Sequence, residues 1–141
     1  MSQQERSLQE KPRIGVLVVY TQGAKRDDSM GIVNRINLAI TETNQAYVNS
    51  GINAELYLAA VHEDLSGYIA DQGSTSMSPS LRHLTYTEGH SSDPNGELDY
   101  IHQLRTDVGA DMVALITTGA GKWRLPLIAV FSIYVSLTFI F

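Results

Sequence analysis

The apolar positions of this chain fall into blocks of two different periods. "IGVLVVY", Ile14 to Tyr20, is a short and almost continuous apolar run rich in Val, the pattern of a strand buried on both faces. Beyond it, Ile32, Val33, Ile36, Ala39, Ile40, Ala46 and Tyr47 recur at three and four, which predicts a helix that Ser29 can cap and Gly51 stops. "NAELYLAAV", Asn53 to Val61, predicts a second strand, with Leu56, Leu58 and Ala60 alternating against Glu55, Tyr57, Ala59 and Val61. A Ser-, Gly- and Thr-rich stretch from Leu65 to Ser92 is longer than ordinary connections, and so reads as a functional or a mobile loop. Asp93 and Pro94 then signal a helix start, and Leu98, Ile101, Leu104 and Val108 form an apolar stripe ending at Gly109. "DMVALIT", Asp111 to Thr117, is the third expected strand.

Strand, helix, strand, helix, strand implies two right-handed crossovers and an α/β fold around a three-stranded, mainly parallel sheet. Such a sheet is an incomplete object. A chain of 141 residues with 43% hydrophobic content supports one domain with one core. The two ends depart from this pattern. Residues 1–13 are polar and charged with no apolar run, which predicts a disordered lead-in and no secretory signal. After Lys122, Trp123 and Arg124, "LPLIAVFSIYVSLTFIF", Leu125 to Phe141, carries no charge. Three readings of this tail, residues 122–141, stand side by side. It is long enough, at the low edge, for a membrane helix, which Lys122 and Arg124 would orient with the remaining chain in the cytoplasm. Its Val, Ile, Phe, Tyr and Thr content suits a buried strand or hairpin. It also fits an unstructured foreign tail.

Charge and composition narrow the chemistry. A net charge of −5 and a pI near 5.2 argue against nucleic acid as a partner, which clustered Lys and Arg would favour. The absence of cysteine excludes disulfides, thiolate catalysis and Cys-ligated zinc, and leaves the redox compartment open. "VHEDLSGY", Val61 to Tyr68, sets His62 beside Glu63 as at the start of the zinc-protease motif HExxH, in which two His four apart share a helix face. Ser66 stands where the second His is needed and Gly67 disfavours a helix, so the stretch reads as a strand end entering a loop. His83 and His90 read as solvated loop residues. "TTGAGK", Thr117 to Lys122, fails as a phosphate loop twice, with Ile116 in place of the first Gly and Trp123 in place of the Ser or Thr that binds magnesium. It reads as a Gly-rich turn. Asn34, Asn37, Thr41, Asn44 and Gln45 share the polar side of the first helix and read as a solvated face.

Three segments, "IGVLVVYTQGAK", "INLAITETNQAYVNSGINAELYLAAV" and "PNGELDYIHQLRTDVGADMVALITTGAG", resemble in order and spacing the first half of the reprolysin-like zinc metallopeptidases, or metzincins. The likeness is nearest the bacterial branch that includes peptidyl-Asp metalloendopeptidases and covers roughly Ile14 to Gly121. The resemblance implies an incomplete zincin-like domain that opens with a twisted sheet of alternating strands and helices. In the intact family, an edge strand then binds the substrate backbone, a helix carries HExxHxxGxxH, and a turn places a Met under the metal. Three His ligands and a water on zinc supply the chemistry, with peptides or proteins as substrates. None of those elements follows "TTGAG" here, so no catalytic, cofactor-binding or metal-binding residue is carried over. The expectation is a truncated metallopeptidase-like protein without a zinc site. A frameshift, an altered exon end or a wrong gene model are its candidate origins. The family is typically exported, and nothing in the lead-in directs export. The alternative is a non-catalytic binding or regulatory module, held at a membrane through Leu125 to Phe141. An unrelated small α/β ligand-binding protein, for a nucleotide for example, is the third reading, and no intact phosphate loop supports it.

Overall fold

Nine consecutive residues, Arg13–Thr21, form β1, and every one from Gly15 onward is buried. A computed structural model describes residues 11–28, 30–69, 78–91, 93–117 and 128–133. Within them β1 is followed by α1 (Gln22–Asp27), α2 (Ile32–Asn49), β2 (Glu55–Asp64), α3 (Ser78–Thr85), α4 (Tyr100–Asp107), β3 (Met112–Thr117) and β4 (Ile128–Ile133). The sheet order is β2-β1-β3-β4. β1 pairs in parallel with β2 and with β3, and β4 pairs antiparallel with β3. The chain is thus mixed α/β around a three-stranded parallel unit.

From β1 to β2 the chain moves one way across the sheet, and from β2 to β3 it moves back over β1. Two crossovers of the same hand must therefore lie on opposite faces. They do. Val16, Val18, Tyr20, Ala114 and Ile116 pack with Ile32 and Ile36 of α2. Leu17, Val19, Val113 and Leu115 pack on the other face with Leu84 of α3, Ile101 of α4 and Leu98 in the turn before it. A strand apolar on both faces is what this arrangement requires.

The structure corrects several expected boundaries. Ala59 is an extra residue in β2, because Val16 pairs with Leu58 while Leu17 pairs with Ala60. This bulge reverses the strand's alternation: Leu56, Leu58 and Val61 pack toward α2, while Ala59 and Ala60 pack toward α4. α1 was not expected; Thr21 caps it by accepting from the Ala24 N–H at 3.3 Å. Ser29, the expected cap of α2, lies outside the described residues, and Gly31 occupies the cap position with φ +86° and no side-chain bond. Asp28 supplies the missing order: it accepts from the Met30 N–H at 2.9 Å and from two guanidinium nitrogens of Arg35. The Leu65 to Ser92 stretch is not all loop, since α3 lies within it. The second crossover helix starts at Tyr100 rather than at Asp93, which is fully buried in a preceding turn.

The described part of the tail fits one of its three readings, the strand. Ile128–Ile133 is a strand in register with β3, from Ile133 opposite Met112 to Ile128 opposite Thr117, and not part of a membrane helix. Residues 125–127 and 134–141 lie outside the described residues, as do residues 1–10 and all of the "TTGAGK" stretch after Thr117. Among the described residues, no helix is long and apolar enough to cross a membrane.

β2 is an edge strand, and α2 covers part of its edge. The Leu56 N–H donates to Asn44 Oδ1 at 2.8 Å, and Asn44 Nδ2 donates back to the Leu56 carbonyl at 2.8 Å. Asn44 therefore leaves the solvated face to which its spacing assigned it. Its neighbours stay there: Asn37 Nδ2 bonds only to Val33 of its own helix. Asn44→Ala removes two partly buried backbone bonds, a loss of about 1–3 kcal/mol. Asn37→Ala stays within about 0.5 kcal/mol, and Ile36→Ala costs about 2–5 kcal/mol through a core cavity. Urea denaturation followed by circular dichroism ranks the three; equal values for the two Asn variants remove the clamp from the account.

The Asp28–Arg35 pair gives an acid-side prediction. The hydrogen bond from Arg35 holds the Asp28 carboxyl below its ordinary value of 3.8. A depressed folded pKa contributes stability above the unfolded value, and that stability is lost as pH falls through the folded value. Asp28→Asn is expected to be less stable than the parent at pH 7, with the gap narrowing when both are measured again below pH 3.8. Denaturation midpoints at the two pH values check it.

Candidate functional site

Ligands of open α/β sheets gather outside the carboxyl ends of parallel strands, so the end of β2 is the place to look for chemistry. The strand finishes at His62, Glu63 and Asp64, the stretch in which a zinc motif could have begun. Successive residues of a strand point to opposite faces. Glu63 turns toward α1, where its Oε2 lies 2.6 Å from Lys25 Nζ. His62 turns the other way and sets its ring 5.8 Å from that of Tyr100 in α4. A helical metal motif needs both side chains working at one point; the strand sends them apart. The reading of this stretch as a strand end entering a loop agrees with the structure.

Asp64 is 1% exposed and forms the centre of a polar hub. Its Oδ1 accepts from Tyr100 Oη at 2.7 Å, Ser66 Oγ at 2.7 Å and the Ser66 N–H at 3.2 Å, while Oδ2 accepts from the Tyr68 N–H at 3.1 Å. Three donors converge on Oδ1 and one reaches Oδ2, so Asp64 orders the turn after β2. Tyr100 stays protonated. Burial, then its hydrogen bond to Asp64 and the charge of that carboxylate, push its ionisation well above the ordinary value of 10.0. Tyr68 continues the chain outward, donating its hydroxyl to the buried Ser80 of α3 at 2.9 Å.

His83 is not a solvated loop residue. It sits on α3 with its Nδ1 2.9 Å from Asp93 Oδ1 and 3.3 Å from Glu97 Oε2, and its ring meets Tyr68 edge-on at 5.8 Å. This clip ties α3 to the turn before α4. Asp93 Oδ2 is buried without a hydrogen-bond partner, but a single open acceptor with no convergent ligand is no site. His90 is exposed, as expected, and stacks flat on Tyr86 at 3.7 Å. Among the described residues, no two of the four histidines, His62, His83, His90 and His102, are brought together with a carboxylate as a metal-holding group. Among the described residues, no group of three His, Cys, Asp or Glu could hold a metal ion.

The other concavity is apolar. Val16, Val18, Ala114 and Ile116 floor a trough of about 370 Å³ against Ile36 and Ile40 of α2. Its size falls within the range of small-molecule pockets, but such pockets fix their ligands with a few placed polar groups. The Thr43 hydroxyl on its wall is already bonded to the Ala39 carbonyl at 2.8 Å. The trough was not foreseen, because periodicity identifies a buried face without saying how much of it is covered.

Tyr100→Phe removes one donor from a buried carboxylate, a loss of about 1–3 kcal/mol at neutral pH. It also changes the alkaline limb. A raised folded pKa means stability that is full below the unfolded value and falls as pH rises through it toward the folded one. The parent is expected to lose more stability between pH 9 and about pH 11 than Tyr100→Phe does. Identical slopes in denaturation at the two pH values count against a buried, protonated Tyr100.

Comparison of the chain with protein-family models, with curated proteins and with solved structures finds no match.

Proposed function

We propose that this chain carries the opening part of a reprolysin-like zinc metallopeptidase domain and no catalytic machinery of its own. The observation that supports the reading is where the resembling segments fall. "IGVLVVYTQGAK" contains most of β1 and enters α1; "INLAITETNQAYVNSGINAELYLAAV" contains most of α2 and β2; "PNGELDYIHQLRTDVGADMVALITTGAG" contains α4 and β3. These are the pieces of the alternating parallel unit with which the family's domain is expected to open.

Zinc, the metal of the intact family, does not fit the described side chains. His62 and Glu63 diverge, His83 is engaged by Asp93 and Glu97, and Asp64 already accepts from four donors. No peptide-cleaving step is therefore derived for this chain. Peptides and proteins are substrates of the family, and recognition of them here belongs to the same proposal.

Two measurements test it. Genomic DNA just past the codon for Gly121 is expected to encode HExxHxxGxxH in a shifted frame or a neighbouring exon, and a coding sequence unrelated to any metallopeptidase there counts against the family. Calorimetric titration of the full chain with zinc, beside a peptide-cleavage assay, is expected to show only weak, substoichiometric binding and no turnover. Stoichiometric submicromolar zinc with chelator-sensitive cleavage would falsify the non-catalytic half of the proposal.

A further inference from the structure

We draw no further inference here: the strongest candidate, the apolar trough between α2 and the face formed by β1 and β3, is an unpartnered surface on which nothing in the structure shows what sits.

Discussion

A strand that is apolar on both faces can satisfy its backbone only between two other strands and can hide its side chains only between two layers. β1 is that strand here: Leu17 and Val19 are fully buried on one side, Val16 and Val18 nearly so on the other. Parallel partners on both edges follow, and parallel partners need crossovers long enough to return the chain to the starting end of the sheet. Those crossovers must carry apolar stripes, and α2 and α4 do, with Ile32 and Ile36 on one and Ile101 on the other. Even Gly15 fits this constraint. A Cβ there would stand 2.8 Å from the hydroxyl of Tyr57 in the neighbouring strand, whose ring also lies under the Arg13 guanidinium at 4.6 Å.

Polar residues act at the ends of these strands, and they act locally. Asp111 accepts from the Gly15 N–H at 2.7 Å while its own N–H donates to the Gly15 carbonyl at 2.8 Å, joining the entry of β3 to the entry of β1. Thr21 caps the helix that leaves β1, Asp64 orders the turn that leaves β2, and Asp93 holds α3 through His83. Each of these side chains takes a nearby partner because a buried polar group with none is costly. The residues whose chemistry could have been catalytic are thereby engaged in holding turns. Among the described residues, no group of three His, Cys, Asp or Glu is left that could hold a metal ion.

The parts visible in the sequence were those written as long periodic runs. β1, β2, β3 and α2 show their apolar pattern over six or more residues, and each is found within a few residues of its expected bounds. The parts that stayed hidden have no such run. α1 spans six residues with Ala24 its one buried side chain, too short for a stripe to show. The bulge at Ala59 falls in a pair of alanines, where either face accepts either residue and alternation carries no signal. Asn44 looked like its polar neighbours because its partner, Leu56, is twelve residues away and in another element. At the candidate site, the failure of "HEDLS" as a metal motif was readable from spacing alone. The pairing of His83 was not, since it depends on Asp93 and Glu97 folding back across a turn that composition marked only as loop.

The two faces of the sheet are covered unequally, and geometry accounts for it. Strands lie about 4.8 Å apart, while a helix with its side chains is about 10 Å across. One helix therefore covers roughly two strands, and a sheet of three or four needs two helices on each face. The α4 side has them, with α3 and α4 both contributing buried residues beside Tyr68. On the other side, α2 is drawn toward the β2 edge by the Asn44 clamp and so sits over β1 and β2. Ala114 and Ile116 of β3 are left as the floor of the trough. The short α1 is the second element on this face, where its Ala24 joins Ile32 and Ile36 in the cluster that holds Ala114 and Ile116.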